Sequence, residues 1–380
     1  MSSAAPDTGR LYFMDAARGT LMMLGIFLHT ANVYGIQHWL VNDRERSALF
    51  DALVAFIHDF RMPAFFMISG YFASRSLTRY GVAKFLGIRG VRIGVPLLVT
   101  ALTLNVLQLY LVSIHGGDQR SFGEYLRSGH ILASFVDGRG IAHLWFLVNL
   151  LLYFLLFALA VFLLRGSAIG HKLVLGCVRI TPIRHPALLL ILLPLLNVAV
   201  LALLHAVPAL YTTVVVPVPD LLLYAPFFCF GLMMFAVPKA LLVMTEADPG
   251  VLLVTLAAAG AALEHPFGGT GLAANTIEAY FGCLLSWLGA YWTLVFFKTL
   301  CNRATPLFKV LADSSYTIYL FHELVVILFA WWLLGSDASI YAKFVVIVVA
   351  TFVVTLSLDR LVIRRADVLA VLFNGKQRAA

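Results

Sequence analysis

Long apolar stretches separated by short polar ones set the pattern of this chain. A helix needs about 20 mostly apolar residues to cross a bilayer, and ten segments qualify: residues 15–37, 51–76, 90–114, 141–165, 187–206, 221–243, 250–266, 276–297, 315–334 and 342–363. The seventh is the shortest, rich in Ala and Gly, and ends in Glu264-His265-Pro266. The pattern predicts an all-α polytopic membrane protein with about ten transmembrane helices. A short segment, 1–14, precedes a ten-helix domain over 15–363, and a tail follows over 364–380. No small-residue cleavage site closes the first apolar run early, so it reads as a retained helix. The chain shows no internal repeat and no pair of interrupted helices of the kind that marks many transporters. The longest outer connection, about 115–140, is polar and Gly-rich.

Composition narrows the class further. Of 380 residues, 61% are hydrophobic and 12% charged, with a mean hydropathy of +0.93. A soluble domain carries about 25% charged residues. A soluble enzyme, a disordered chain and a nucleic-acid binder are therefore excluded. The net charge of +8 becomes a topology signal. With the N-terminus cytoplasmic, the outer side receives Arg44, Arg46, Arg61, Arg120, Arg127, Arg139 and Lys343, and the other 20 of the 27 Lys and Arg are inside. Both termini are then cytoplasmic. Cys177, Cys229, Cys283 and Cys301 include no C-x-x-C pair and none falls on an outer connection by this reading, so neither a disulfide nor a metal site is expected.

Titratable groups at membrane depth are costly, which makes each one a candidate for function. In the first helix Arg18 and His29 are 11 residues apart. At 100° per residue they share a face with Asp15, Met22, Gly25 and Asn32. A rise of about 16 Å sets Arg18 at the cytoplasmic interface and His29 near mid-membrane. Imidazole there suits proton transfer; a packing histidine with a snorkelling arginine is the competing reading. The second helix carries His58, Asp59, Arg61 and Ser69, with His58 and Arg61 at i, i+3, and Pro63 expected to kink it. Pairing of Asp59 and Arg61 with neighbouring helices competes with an aqueous site.

The stretch RSLTRYGVAKFLGIRGVRIGVP carries five positive charges and no acid. Arg89 and Arg92 are one turn apart and lead into the third helix, where a guanidinium pair can clamp phosphate. Basic inner loops are also common for topology alone. The fourth helix opens with His143, Trp145 and Asn149; Trp145 suits either an aromatic belt or substrate stacking. In the ninth, Tyr316, Tyr319 and His322 share a face at i, i+3, i+6, with His322 expected in the cytoplasmic half. Catalytic and structural roles are equally open for them.

Five segments in order, YFMDAARGTLMMLGIFLHT, FRMPAFFMISGYF, FLGIRGVRIGVP, HLWFLV and DSSYTIYLFH, resemble the acyltransferase-3 family of membrane acyltransferases. The Arg18–His29 spacing is similar to that family's first-helix Arg/His pair. Its donor-side motif is commonly R-x-x-x-R, whereas the matching place here is Arg89-Gly-Val-Arg92; Arg75 and Arg79 have the longer spacing but lie earlier. With HDFRMPAFFMISGYF, VRIGVP, LYAPFFCFGL and the tail VLFNGK, the chain looks most like the branch that succinylates osmoregulated periplasmic glucans. The resemblance implies a multi-pass protein of the bacterial inner membrane that moves a succinyl group from cytoplasmic succinyl-CoA to glucan hydroxyls. No permanently bound cofactor is implied; succinyl-CoA, or acetyl-CoA, is a substrate. His29 would be general base, with Asp59 a further catalytic residue and Ser69 the acyl carrier of a covalent relay. Arg18, Arg89 and Arg92 would bind the donor. His58, Arg61, His143, Trp145, Asn149, Tyr319 and His322 would meet the acyl group or acceptor, with Arg61 set against the succinyl carboxylate. Membrane lipid, the glucan synthesis machinery or a second copy are the expected partners, with no nucleic acid. An O-acetyltransferase of lipopolysaccharide or exopolysaccharide, a proton-coupled transporter and a non-enzymatic partner of a glucan synthase remain as alternatives.

Overall fold

The structure, a computed structural model, describes residues 11–164, 185–211, 216–264 and 271–375. Arg10, Arg165, Lys172, Arg179, Arg184, Lys376 and Arg378, which enter the charge argument, lie outside the described residues, as do Cys177, His265 and Pro266. Each of the ten apolar segments coincides with a described helix. They are α1 (Tyr12–Tyr34), α2 (Ala48–Tyr80), α3 (Val82–His115), the loop helices α4 (Phe122–Arg127) and α5 (His130–Val136), and α6 (Trp145–Leu164). Then come α7 (Pro186–Ala206), α8 (Val218–Ala236), the short α9 (Pro238–Val243), α10 (Pro249–Glu264), α11 (Leu272–Cys301), α12 (Pro306–Leu333), α13 (Ile340–Leu361) and α14 (Asp367–Asn374).

Two boundaries differ from the pattern. The sixth span ends at Ala236, because Val237 precedes Pro238 and is extended, a conformation that proline imposes on its predecessor. Within the tail, Asp367–Asn374 forms a helix that packs back on α3 and α12.

Among the described residues, eight helices are long and apolar enough to cross a membrane. The two further segments are α1 and α10. Polar residues lower the hydropathy of α1, and it can carry them because protein surrounds it: it packs on α2, α11, α12 and α13. The 16-residue α10 is short, but direction fixes its part. Gly19 lies against Ala312, Gly25 against His322 and His29 against Glu323, so α1 and α12 run parallel. Counted over the described helices, that needs α10 as a crossing element; without it α12 would run the other way.

Helices α2 and α8 pack closely. A Cβ at Gly70 would sit 2.2 Å from the Phe228 carbonyl oxygen, and one at Gly231 would sit 2.0 Å from that of Met67. Small residues let two backbones meet in this way. Gly231→Ala is therefore expected to force the pair apart and cost at least the ~1–3 kcal/mol of an overpacked core, read as a lower melting temperature in detergent. This contact anchors α2, which carries Arg61 and Ser69.

Candidate active site

Five elements deliver polar side chains to one buried point. Glu323 of α12 is its hub, 3% exposed. One carboxylate oxygen accepts from Gln108 Nε2 of α3 at 2.8 Å and lies 2.7 Å from His143 Nδ1. The other lies 3.3 Å from Nδ1 of His29 on α1, a contact without hydrogen-bond alignment. The His29 ring is 5.0 Å from that of His322, which is 5.2 Å from that of His143. His322 Nδ1 lies 2.6 Å from the Tyr319 carbonyl, while its Nε2 has no protein partner. Tyr319 donates its hydroxyl to the His143 carbonyl at 2.6 Å. Arg61 reaches in from α2 and donates Nε to the Leu21 carbonyl at 2.9 Å. Residue 25 must be small here: a Cβ would lie 3.0 Å from both the Arg61 guanidinium and His322 Nε2.

Local structure sets His143. It sits in the 3-10 turn Ala142–Leu144 ahead of α6. Ala142 has φ +45, a conformation that costs a non-glycine residue about 1–3 kcal/mol. The side chain of buried Asn105 holds this turn, donating to the Gly140 and Ile141 carbonyls at 3.0 Å each.

Two cavities approach the centre from opposite ends of the bundle. The histidine cavity, about 680 Å³, has His29, His143 and Glu323 at its base, with Trp39, Trp145, Tyr125 and His130 around it. The loop beside it is held by charge: hydrogen bonds from Arg120 keep the Asp118 carboxyl well below the usual carboxylate range. That pairing is lost only as pH falls through the lowered value. The arginine cavity, about 160 Å³, is bounded by Arg18, Arg89, Arg92, Ser69 and Asn374. Arg89 is half-buried between aromatic rings, its guanidinium carbon 4.8 Å from the Phe154 centroid and 5.5 Å from that of Phe85. Arg92 is exposed at the rim. The π-helical turn Gly90–Gly94, a widening frequent at functional sites, follows Arg89 directly and carries Arg92, and both line the cavity despite their short spacing. Phe65, Phe146 and Tyr319 form the layer between the two cavities.

The expected residues divide accordingly. His29, Arg61, His143, Tyr319 and His322 are brought together, with Trp145 at the histidine cavity. Arg18, Arg89 and Arg92 share the other cavity, which Arg75 and Arg79 do not line. Ser69 is on the arginine side, not in the outer half, because α2 carries it three turns beyond His58. Asp59 is not beside His29: it is exposed on an apolar groove between α1, α2 and α11. His58 has its own hydrogen-bond partner, with Nε2 3.0 Å from the Tyr224 hydroxyl. Among the described residues Arg61 forms no ion pair, with Asp59 or otherwise. Buried Asn149 has neither amide atom bonded. His322 is beside His29, not in a separate half. Glu323, Gln108, Asn105 and Asn374 escaped the sequence reading; an acid next to His322 within an apolar helix was the signal for the first.

No group of three or more His, Cys, Asp or Glu among the described residues is placed to hold a metal ion. Chemically, the centre is a buried carboxylate fixed by an amide and touching two imidazoles. Such a carboxylate orients an imidazole and balances its charge when it takes a proton.

A membrane-embedded helical bundle with this centre is an acyltransferase by family: the chain belongs to the acyltransferase-3 family, whose acyltransferase domain matches residues 11–360. Within it, the chain is similar to Glucans biosynthesis protein C of Escherichia coli (strain K12), 36% identical over 142 residues, or 37% of this chain and 36% of that protein. Glucans biosynthesis protein C of Shigella dysenteriae serotype 1 (strain Sd197) matches to the same extent. The match thus spans little more than a third of the length of these relatives. No solved structure matches the chain.

Proposed function

We propose that this protein sits in the bacterial inner membrane with both termini cytoplasmic and transfers a succinyl group from cytoplasmic succinyl-CoA to hydroxyls of a periplasmic glucan. The observation that carries the reading is an arginine-lined cavity and a histidine-lined cavity on either side of one centre, the second reaching His29 and Glu323. One has cations suited to the phosphates of a CoA. The other has aromatic rings suited to a sugar face. The names of the relatives supply the glucan.

In this reading the acceptor hydroxyl enters from the histidine cavity and the thioester from the arginine cavity. The hydroxyl oxygen attacks the thioester carbonyl carbon while His29 takes its proton. The carbon–sulfur bond breaks, and the CoA thiolate leaves and recovers a proton from the imidazolium. Glu323 holds His29 in position and balances its charge. Arg61, buried and without a carboxylate partner among the described residues, is the cation for the succinyl carboxylate, since an unpaired charge in a buried site is costly. Ser69 stands on the donor side, where an acyl-enzyme relay would load it. Association with the glucan synthesis machinery or a second copy would bring acceptor to the outer face.

Mass analysis of periplasmic glucans with and without the protein tests the reaction; succinyl esters should disappear with the gene, whereas loss of acetyl esters would replace the donor. A cysteine at position 125 or 130 should be labelled from the periplasmic side, and cytoplasmic labelling would invert the topology. Arg89→Ala should weaken acyl-CoA binding by about one to two decades, the value of a charge-assisted hydrogen bond. Unchanged affinity in both Arg89→Ala and Arg92→Ala would move the donor site elsewhere. A transporter would bind no CoA.

A further inference from the structure

The arginine cavity has a wall supplied by the last described helix. Asn374, at the end of α14, is buried and lines the cavity with Arg18, Arg89 and Arg92. Its amide nitrogen donates to Asp359 at 3.2 Å, and its carbonyl oxygen lies 2.9 Å from the Thr317 hydroxyl. That hydroxyl is 2.7 Å from the same Asp359 oxygen. Asp359 is itself fully buried, and its second oxygen accepts from Arg364 Nε at 2.6 Å. The proposed transfer uses none of these groups, yet together they fix one amide at the cavity wall.

A second contact ties the tail to the arginines. Gly375 has φ +56, and a Cβ there would come within 2.3 Å of Arg92 Cα and 2.7 Å of the Val91 carbonyl oxygen. Only glycine combines this conformation with so close an approach. The tail motif VLFNGK therefore has a physical reading: Asn374 faces the cavity and Gly375 seats the chain on the π turn that carries Arg92.

An asparagine amide has two N–H donors, of which Asp359 takes one. We propose that Asn374 gives the other to the phosphate-bearing part of the acyl-CoA donor, making α14 part of the donor site. Asp359, Thr317 and Gly375 are its positioning residues. This rests on the acyl-CoA reading above, and binding of CoA alone separates the two.

The experiment uses the full chain in detergent and equilibrium binding of labelled CoA. Asn374→Ala should weaken binding about tenfold, as loss of a hydrogen bond to a charged group does. Asn374→Asp should weaken it further, because a carboxylate would face phosphate. In turnover both should raise the donor KM and leave the acceptor KM unchanged, a split that a merely structural role would not give. A folding-independent check is Asn374→Cys: CoA, but not glucan, should slow its labelling by a small thiol reagent above the native-cysteine background. If wild type binds CoA while the Ala and Asp variants bind it equally well, or CoA leaves Asn374→Cys labelling unchanged, the assignment of Asn374 is overturned and the donor reading stands. If wild type binds no CoA, both fall.

Discussion

A His29→Gln protein is expected to insert, fold and bind acyl-CoA as wild type does, and to transfer acyl groups about 10²–10⁴-fold more slowly. Glutamine approximates the size of imidazole and keeps a polar contact toward Glu323, but it cannot accept and return a proton. The loss should therefore fall on the rate at saturation and not on the donor affinity, because the arginine cavity lies on the other side of the Phe65–Phe146 layer. Glu323→Gln should produce a loss of similar kind. It keeps the shape of the hub but removes the charge that balances a protonated His29, and its amide would set a donor against Gln108 Nε2, which now donates to Glu323 at 2.8 Å. Kinetics of purified variants with a fixed acceptor and varied acyl-CoA would separate these effects. Near-normal transfer by His29→Gln would remove His29 from the chemistry. A loss confined to Glu323→Gln would make the carboxylate the acting group.

Helical period carried the sequence reading a long way. The 11-residue spacing of Arg18 and His29 reads directly as one stripe of one helix, and the structure has each at a cavity on that stripe. Charge and hydropathy marked the helices because lipid-facing positions cannot be polar. What periodicity cannot report is which neighbour a face meets. His58, Asp59 and Arg61 fall within four residues, yet α2 turns Arg61 toward α1 and leaves His58 against Tyr224 of α8. Adjacent residues on a buried helix face different partners, so nearness in sequence grouped what packing separates. Glu323 was missed for a related reason: its importance lies in three partners from α1, α3 and the turn before α6, at long sequence separations. The place of the tail was unreadable because Gly375 meets Arg92 on the π turn only in the folded chain.

Arg61→Gln is expected to discriminate between donors, lowering succinyl transfer by about 10²–10³-fold, the consequence of leaving a buried charge without its partner, and lowering acetyl transfer far less. Succinyl differs from acetyl by a terminal carboxylate, which must find a cation if it enters the bundle. Arg61 is buried, directed inward by its bond to the Leu21 carbonyl, and set against Gly25 and His322, close to where the thioester would meet His29. The separation of Asp59 onto the groove between α1, α2 and α11 removes the obvious internal partner that would have neutralised it. Acetyl carries no such charge, so its transfer depends on Arg61 only through packing, and glutamine retains the N–H that reaches Leu21. The measurement is kcat/KM for succinyl-CoA and acetyl-CoA in wild type and Arg61→Gln, with CoA affinity as control. Equal losses for the two donors would assign Arg61 to structure or acceptor binding. A wild type that prefers acetyl-CoA would overturn the succinyl reading and leave Arg61 as a buried cation awaiting another anion.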